Sequence, residues 1–389
     1  MKVSKMARAV AVAMGVMGVA AASPAQVKVL INPGDQGEQS RYAIYSAWKS
    51  AVEAALRKEK LTPVVALSTD ATADLATTRS RLHDIFVAPA HVIGSALRYG
   101  YTPVVGLDAT VQAVLVVPKD SPVKSLQDAA GKRLGLPLQD SLVTYLVRGE
   151  VNAANTTIKR HFGSVYETRY QDALLPCLQV RRCDIVAVER SVYDRWLAAG
   201  EPVRIVMESK FSPSLSVAVK DGLGVSAETL RAAMADSTAI TQGAKLALLS
   251  KRDFEYVSTL GYFTPRALPG ATVVDAQTVQ RLMQAGTHYI DTRTEAEFRA
   301  GRVPGAKLVP YVEKSPKEAD YDPSPDKFDL SQLPADKNAG LIFACNGPEC
   351  WKSFKASRAA LRAGYTRVHW FRGGFPEWRS AGLPVEKDD

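Results

Sequence analysis

From residue 27 onward, short apolar runs rich in β-branched residues alternate with amphipathic stretches. VKVLINP (27–33) reads as a buried strand, and SRYAIYSAWKSAVEAALRKE (40–59) spaces its apolar residues as a helix does. PVVALST, DIFVAPA, TPVVGLD and AVLVVPKD are further strand-like runs, with helical segments after the first two. This rhythm predicts an α/β fold, a parallel-type sheet with helices on its faces. A second α/β unit opens near Ser121 with SLQDAAGKRLGLPLQDSLVTYLVRGEVNAAN. It continues through a helix around 171–182, the strand CDIVAVE, the helix SVYDRWLAAG and the strand PVRIVMES. SLSVAV (214–219) returns one more strand and SAETLRAAMADS one more helix. GYFTPRALPGA (261–271) is dense in Gly and Pro and reads as an inter-domain linker, with a separate, smaller α/β unit beyond it.

The first 25 residues break the rhythm. Lys2, Lys5 and Arg8 precede an apolar run over residues 9–22, and Ser23-Pro24-Ala25 offers small residues for cleavage. This predicts a secretory signal peptide cleaved near Ala25 and a periplasmic location. The run is short of the ~20 residues that span a bilayer, so no stable membrane insertion is expected after cleavage. The composition, 46% apolar and 23% charged over 389 residues, is that of a globular chain of more than one domain. The formal charge of +9 falls to +6 without the first 25 residues. Its basic residues are scattered, which excludes a nucleic-acid groove and leaves a mild preference for anionic ligands. In an oxidising compartment the four cysteines can pair, and Cys177 with Cys183 is the favoured structural disulfide. No His lies at zinc-ligand spacing from that pair, and Cys345 with Cys350 alone would lack two further ligands, so no metal is expected; no cofactor is expected either.

VVPKDSPVKSLQDAAGKRLGLP resembles the crossover of type-2 periplasmic substrate-binding proteins, closest to the phosphate/phosphite/phosphonate-binding branch. DIFVAPAHVIGSALRYGYTPV, QDALLPCLQVRRCDIVAVERSVYDRW and the LGYFTP string support the likeness over residues 26–266. The resemblance implies two lobes, the second about 121–205, with hinges near 116–121 and 205–214. It also implies a small anionic ligand of the phosphorus, sulfur or arsenic oxyanion class, held by helix N-termini at loops 33–41, 89–92 and 140–144. Candidate ligand residues are His91, Ser141, Arg169, Tyr170 and Glu189. Leu142 and Val143 replace hydroxyl residues usual in the branch, and Arg169-Tyr170 stand where it usually has a His. Both departures point away from an ordinary aminoalkylphosphonate.

Residues 271–389 resemble the rhodanese domain, on four motifs in order: Ile290-Asp291-Thr292-Arg293, Gly301 to Ala306, the strand LIFA ending at Cys345, and Gly373-Gly374-Phe375 with Trp378. Arg302 replaces the family's usual His. The resemblance implies a small three-layer α/β domain in which Cys345 carries sulfur as a persulfide, with backbone amides and a helix N-terminus favouring the thiolate. Asp291, Arg293, Asn346, Gly347, Glu349 and Trp351 would support the loop, and Lys352 and Ser353 would act beside Cys345. The loop reads as about three residues longer than usual, and Cys350 stands near the family's usual Arg. Cys350 could therefore resolve an oxidised or persulfidated Cys345; a static disulfide that only staples the loop, or a degenerate rhodanese serving as a binding module, stays open. Segment 311–338 reads as a polar surface insertion.

The combined reading is an exported substrate-binding protein fused to a rhodanese-like thiol domain, with sulfur transfer or thiol redox at Cys345. Two alternatives stay open: a transport or sensor binding protein, serving an ABC transporter or sensor kinase, whose rhodanese domain is inert; and a redox accessory factor of a quinoprotein-type oxidoreductase.

Overall fold

The computed structural model describes residues 26–235, Ile240 and 245–388; the expected signal peptide lies outside the described residues. A six-stranded sheet builds the first lobe, in the order Leu246–Leu248, Tyr101–Leu107, Ser216–Lys220, Ile85–Ala88, Gln26–Ile31, Thr62–Leu67. The three strands of the N-terminal βα units run parallel, as the alternation predicts. Ser216–Lys220 runs antiparallel to both neighbours because the chain returns to it from the second lobe. Alternate strand residues Val27, Val29 and Ile31 are buried against Trp48, Val52 and Leu56 of helix Glu38–Lys58, whose apolar stripe closes one face.

The second lobe is a five-stranded sheet ordered Val203–Glu208, Ala113–Pro118, Ile185–Glu189, Arg133–Pro137, Ser164–Thr168. It begins at Ala113 and ends at Glu208, wider than the expected 121–205. The crossovers therefore fall earlier than 116–121 on the outward pass, where Val116 and Val117 are ladder residues. Between the lobes, Thr110–Val111 pairs antiparallel with Ser212–Pro213, and this two-stranded strap is the crossing point. The Cys177–Cys183 disulfide fastens helix Leu174–Gln179 to the chain entering Ile185–Glu189.

The C-terminal unit is an all-parallel sheet ordered Ala271–Val273, Val368–Phe371, Leu341–Ala344, His288–Asp291, Lys307–Leu308. Its central strands are continuous apolar runs because helices cover both faces. The Gly/Pro segment before it is packed, unlike a free linker. The Tyr262 carbonyl accepts from the Trp351 indole at 2.7 Å, Thr264 donates to the Pro348 carbonyl, and Leu268 is buried beside Trp351 and Trp370. Among the described residues no helix is long and apolar enough to cross a membrane.

Candidate functional site

The two lobes, with residues 313–317, line an open cleft of about 520 Å³, and hydrogen bonds join the lobes across it. Gln171 of the second lobe donates to Asp35 at 2.7 Å and to Glu189 at 3.2 Å, and Gln36 of the first lobe donates to Glu189 at 2.7 Å. Ser141 caps helix Leu142–Ala153, its hydroxyl accepting from the Val143 amide at 3.2 Å, so the positive end of that helix faces the cavity. His91, Ser141, Arg169, Tyr170 and Glu189 all line this cavity, so the structure brings the expected ligand residues together. Arg169 donates to the Thr69 carbonyl at 3.2 Å and lies over the Tyr170 ring.

His91 is buried. Its Nε2 meets the Asp140 carbonyl at 2.7 Å, and its Nδ1 has no partner. Burial pushes its pKa down to about 4, so near neutral pH the ring is uncharged. Nε2 must then carry the proton and Nδ1 presents a bare lone pair. The carboxyls of Asp35 and Glu189 are both raised by burial, and the Asp35 charge adds to the rise at Glu189. Lining carboxylates Asp35, Asp70, Glu167 and Glu189 meet Arg41, Arg169 and Lys314, so the cleft is not a simple basic pocket.

Asp74, behind the cleft, accepts from Asn32 at 2.5 Å and Ser68 at 2.7 Å, and burial pushes its pKa up to about 6. Its folded value lies above the ordinary one, so its contribution to stability is full below about pH 4 and is lost as pH rises through about 6. Ionising it costs the fold roughly 3 kcal/mol. Asp74→Asn is therefore expected to stabilise the protein at pH 8 and to change it little at pH 4. Urea denaturation at the two pH values checks this, and an equal effect at both refutes it. His91 acts in the opposite sense, favouring the fold above its ordinary value and losing that as pH falls towards 4.

The thiol loop lies in the C-terminal unit, over 30 residues before its end. Strand Leu341–Ala344 delivers Cys345, and residues 345–350 turn directly into helix Trp351–Arg362, with Cys350 as its N-cap. The extra loop length expected from the sequence is absent: Trp351, Lys352 and Ser353 form the first helical turn. Cys345 and Cys350 are joined as a disulfide, and they are 1% and 5% exposed. Gly347 turns the loop at φ +88°. Gly374, at φ +58°, lets the Gly-Gly turn press on the Cys345 carbonyl where any Cβ would collide. The Phe375 amide donates to that carbonyl at 2.8 Å.

The supporting residues divide by role. Asp291 and Arg293 form a fully buried ion pair at 2.6 Å, with the guanidinium also donating to the Gly301 carbonyl and lying over Phe375. Asn346 donates to Glu297 at 2.6 Å. Ser353 accepts from the Trp370 indole at 3.1 Å, a packing contact. Lys352 is half-buried and makes no ion pair among the described residues.

Glu349 shows what covers the loop. It pairs with Arg98 of the first lobe at 3.0 Å, and the Tyr99 hydroxyl stands over Gly347. The binding module thus seals the thiol loop.

The larger surprise is segment 313–317. Instead of a surface loop it is a wall of the ligand cavity, with Lys317 bidentate on Asp140 at 2.7 Å to both oxygens. Burial would raise the Asp140 carboxyl, but the Lys317 charge and hydrogen bonds, helped by Thr72, hold it below the ordinary value. Behind it, fully buried Lys355 pairs with Glu313 at 2.7 Å and donates to the Ser315 carbonyl and hydroxyl. Asp35, Arg41 and Asp140 lie in loops the sequence reading marks, though not as ligand side chains, and Lys317 escapes it. Among the described residues no His, Cys, Asp and Glu group is arranged to hold a metal.

Residues 34–254 match the family described as ABC transporter, phosphonate, periplasmic substrate-binding protein, and residues 275–381 match the rhodanese-like domain. Thiosulfate sulfurtransferase 16, chloroplastic, from Arabidopsis thaliana is 31% identical over 105 residues, 27% of this chain and 84% of that protein. Protein HIGH ARSENIC CONTENT 1, mitochondrial, from the same plant is 31% identical over 128 residues, 32% of this chain and 70% of that protein. The solved structure of PhnD1 from Prochlorococcus marinus (MIT 9301), in complex with methylphosphonate, is similar with a TM-score of 0.51 at 13% identity, covering 61% of this chain and 97% of that one. XAC2383 from Xanthomonas citri, bound to ATP, is similar with a TM-score of 0.50 at 15% identity, covering 61% and 96%. Both structural likenesses are likenesses of fold.

Proposed function

This chain belongs to the ABC-transporter phosphonate periplasmic substrate-binding protein family and carries a C-terminal rhodanese-like domain, and we propose that it captures a small oxyanion-bearing solute and performs guarded thiol chemistry at Cys345 and Cys350. The observation that carries the first half is the cleft, where the Ser141 helix N-terminus, Arg41 and Arg169 converge on one cavity. Its carboxylates refine the class. A solute with an N–H or O–H donor, or a cationic end, beside its phosphorus, sulfur or arsenic oxyanion suits the Asp35–Glu189 side better than a bare dianion. We place the chain in the periplasm, its signal cleaved near Ala25, delivering solute to an ABC transporter or sensor kinase.

For the thiols we propose a two-step cycle once an external dithiol has reduced the disulfide. The Cys345 thiolate, favoured by the N-terminus of helix Trp351–Arg362, attacks the outer sulfur of a donor such as thiosulfate, forming a persulfide and releasing sulfite. The Cys350 thiolate then attacks the Cys345 sulfur, closing the disulfide and expelling hydrosulfide. Two thiols are oxidised and one sulfane sulfur is reduced. Burial of the loop favours this cycle over open transfer to cyanide.

The expected result is a rise in melting temperature with at least one member of a panel of alkyl- and aminoalkylphosphonates, phosphite, sulfonates and arsenite. In parallel, the reduced Cys350→Ser variant incubated with thiosulfate should gain the mass of one sulfur atom at Cys345. A panel with no response sinks the capture half, and no mass gain sinks the sulfur half.

A further inference from the structure

We propose that the rhodanese-like domain completes the ligand site, with Lys317 as the charge that makes the Asp140 side of the cleft receptive to an anion. The inference rests on reading the cleft as a ligand site. Asp140 directly precedes Ser141, the N-cap of the helix whose free amides form the oxyanion end. A bare carboxylate there would oppose the anion that the helix end attracts. The structure brings an ammonium from 177 residues away to cancel it, both partners nearly buried.

Asp140 is also where three units meet. Its carboxylate accepts from Thr72 of the first lobe and Lys317 of the C-terminal unit, while its carbonyl meets His91 Nε2 at 2.7 Å. That last contact leaves His91 Nδ1 as a buried acceptor with no partner, on a residue lining the cavity. The wall is held from behind, since Lys355 lies one turn into the helix that starts at the thiol loop and grips Ser315, two residues before Lys317. Ligand site and thiol helix therefore share one mechanical support.

The test uses the full chain as wild type, Lys317→Met, Asp140→Asn and the double variant, with methylphosphonate and phosphite as calorimetric probes and hydrogen exchange at the Lys317 amide. Lys317→Met is expected to weaken probe binding by about tenfold or more, because it leaves a buried carboxylate unpaired. The double variant is expected to recover to within about threefold of wild type, since the charge to be cancelled is gone. Binding unchanged in Lys317→Met, or a double variant as weak as the single, overturns the inference and leaves the capture reading standing. If wild type binds neither probe, the capture reading is left to the wider panel, and exchange alone decides for the wall. Protection of the Lys317 amide that is lost in Asp140→Asn supports the docked wall, and free exchange in wild type overturns it.

Discussion

Lys355→Met is expected to destabilise the C-terminal unit by about 3–5 kcal/mol, the cost of removing one partner from a buried ionic cluster. Lys355 is 0% exposed and is the cation for Glu313 at 2.7 Å, with Asp326 at 3.9 Å behind it. Methionine fills the space of the stem but leaves two carboxylates with no counter-charge. Asp326 keeps Ser315 and the Tyr311 hydroxyl as donors; Glu313 keeps less. Glu313→Gln in the Lys355→Met background should therefore recover part of the loss. Calorimetry of the full chain reads this as a lowered transition, by roughly 10 °C at the expected energy. A transition within about 2 °C of wild type would show that water or rearrangement replaces the lysine. Because Lys355 also holds Ser315, the variant should loosen the cavity wall before it unfolds the domain.

The second large effect is expected at Arg293. Its guanidinium and the Asp291 carboxylate are both about 1% exposed, and it also satisfies the Gly301 carbonyl at the turn that follows helix Glu295–Ala300. Arg293→Met strands the carboxylate and the carbonyl together, for about 3–5 kcal/mol. Burial alone would lower the Arg293 pKa, but Asp291 overcomes that and holds it above the ordinary value, consistent with a pair that forms and fails as a unit. Adding Asp291→Asn should recover much of the loss, and urea midpoints of the single and double variants check it. A single variant as stable as wild type would mean the pair contributes nothing net. Arg293 lies over Phe375, whose amide holds the Cys345 carbonyl, so loosening of the thiol loop is expected alongside the stability loss.

What could be read from the sequence was what local pattern encodes. LIFA followed by Cys, or VKVLI, announces a buried strand because its apolar run needs no partner to be recognised, and CNGPEC announces a thiol loop by its spacing. Burial decided by distant partners stayed hidden. Lys317 sits in a stretch rich in Pro, Lys and acids that looks solvated, and only folding brings it to Asp140. The extra loop length reads in for a local reason: Trp351-Lys352-Ser353 has no strong helix signature, and a cysteine is not a favoured N-cap. The outward crossing point came from the resemblance, and Val116 and Val117, which the pattern reads as strand, are ladder residues. The alternation of βα units also hid the antiparallel strands, which arise from the path between lobes and leave no mark in any one segment.

The seal over the thiol loop sets how fast anything can happen there. With Arg98, Tyr99 and the packed segment 262–264 against residues 347–351, a reductant meets Cys345 only in the fraction of molecules whose units have parted. The observed rate is then the intrinsic exchange rate multiplied by that open fraction, and each 1.4 kcal/mol of closure slows it tenfold. At low reductant the rate should climb in proportion to concentration. At high reductant it should level off at the rate of opening itself, so the plateau becomes a stopwatch for the domain motion. Two proteins with identical CNGPEC loops would thus differ in reactivity according to how tightly a neighbouring lobe closes over the loop.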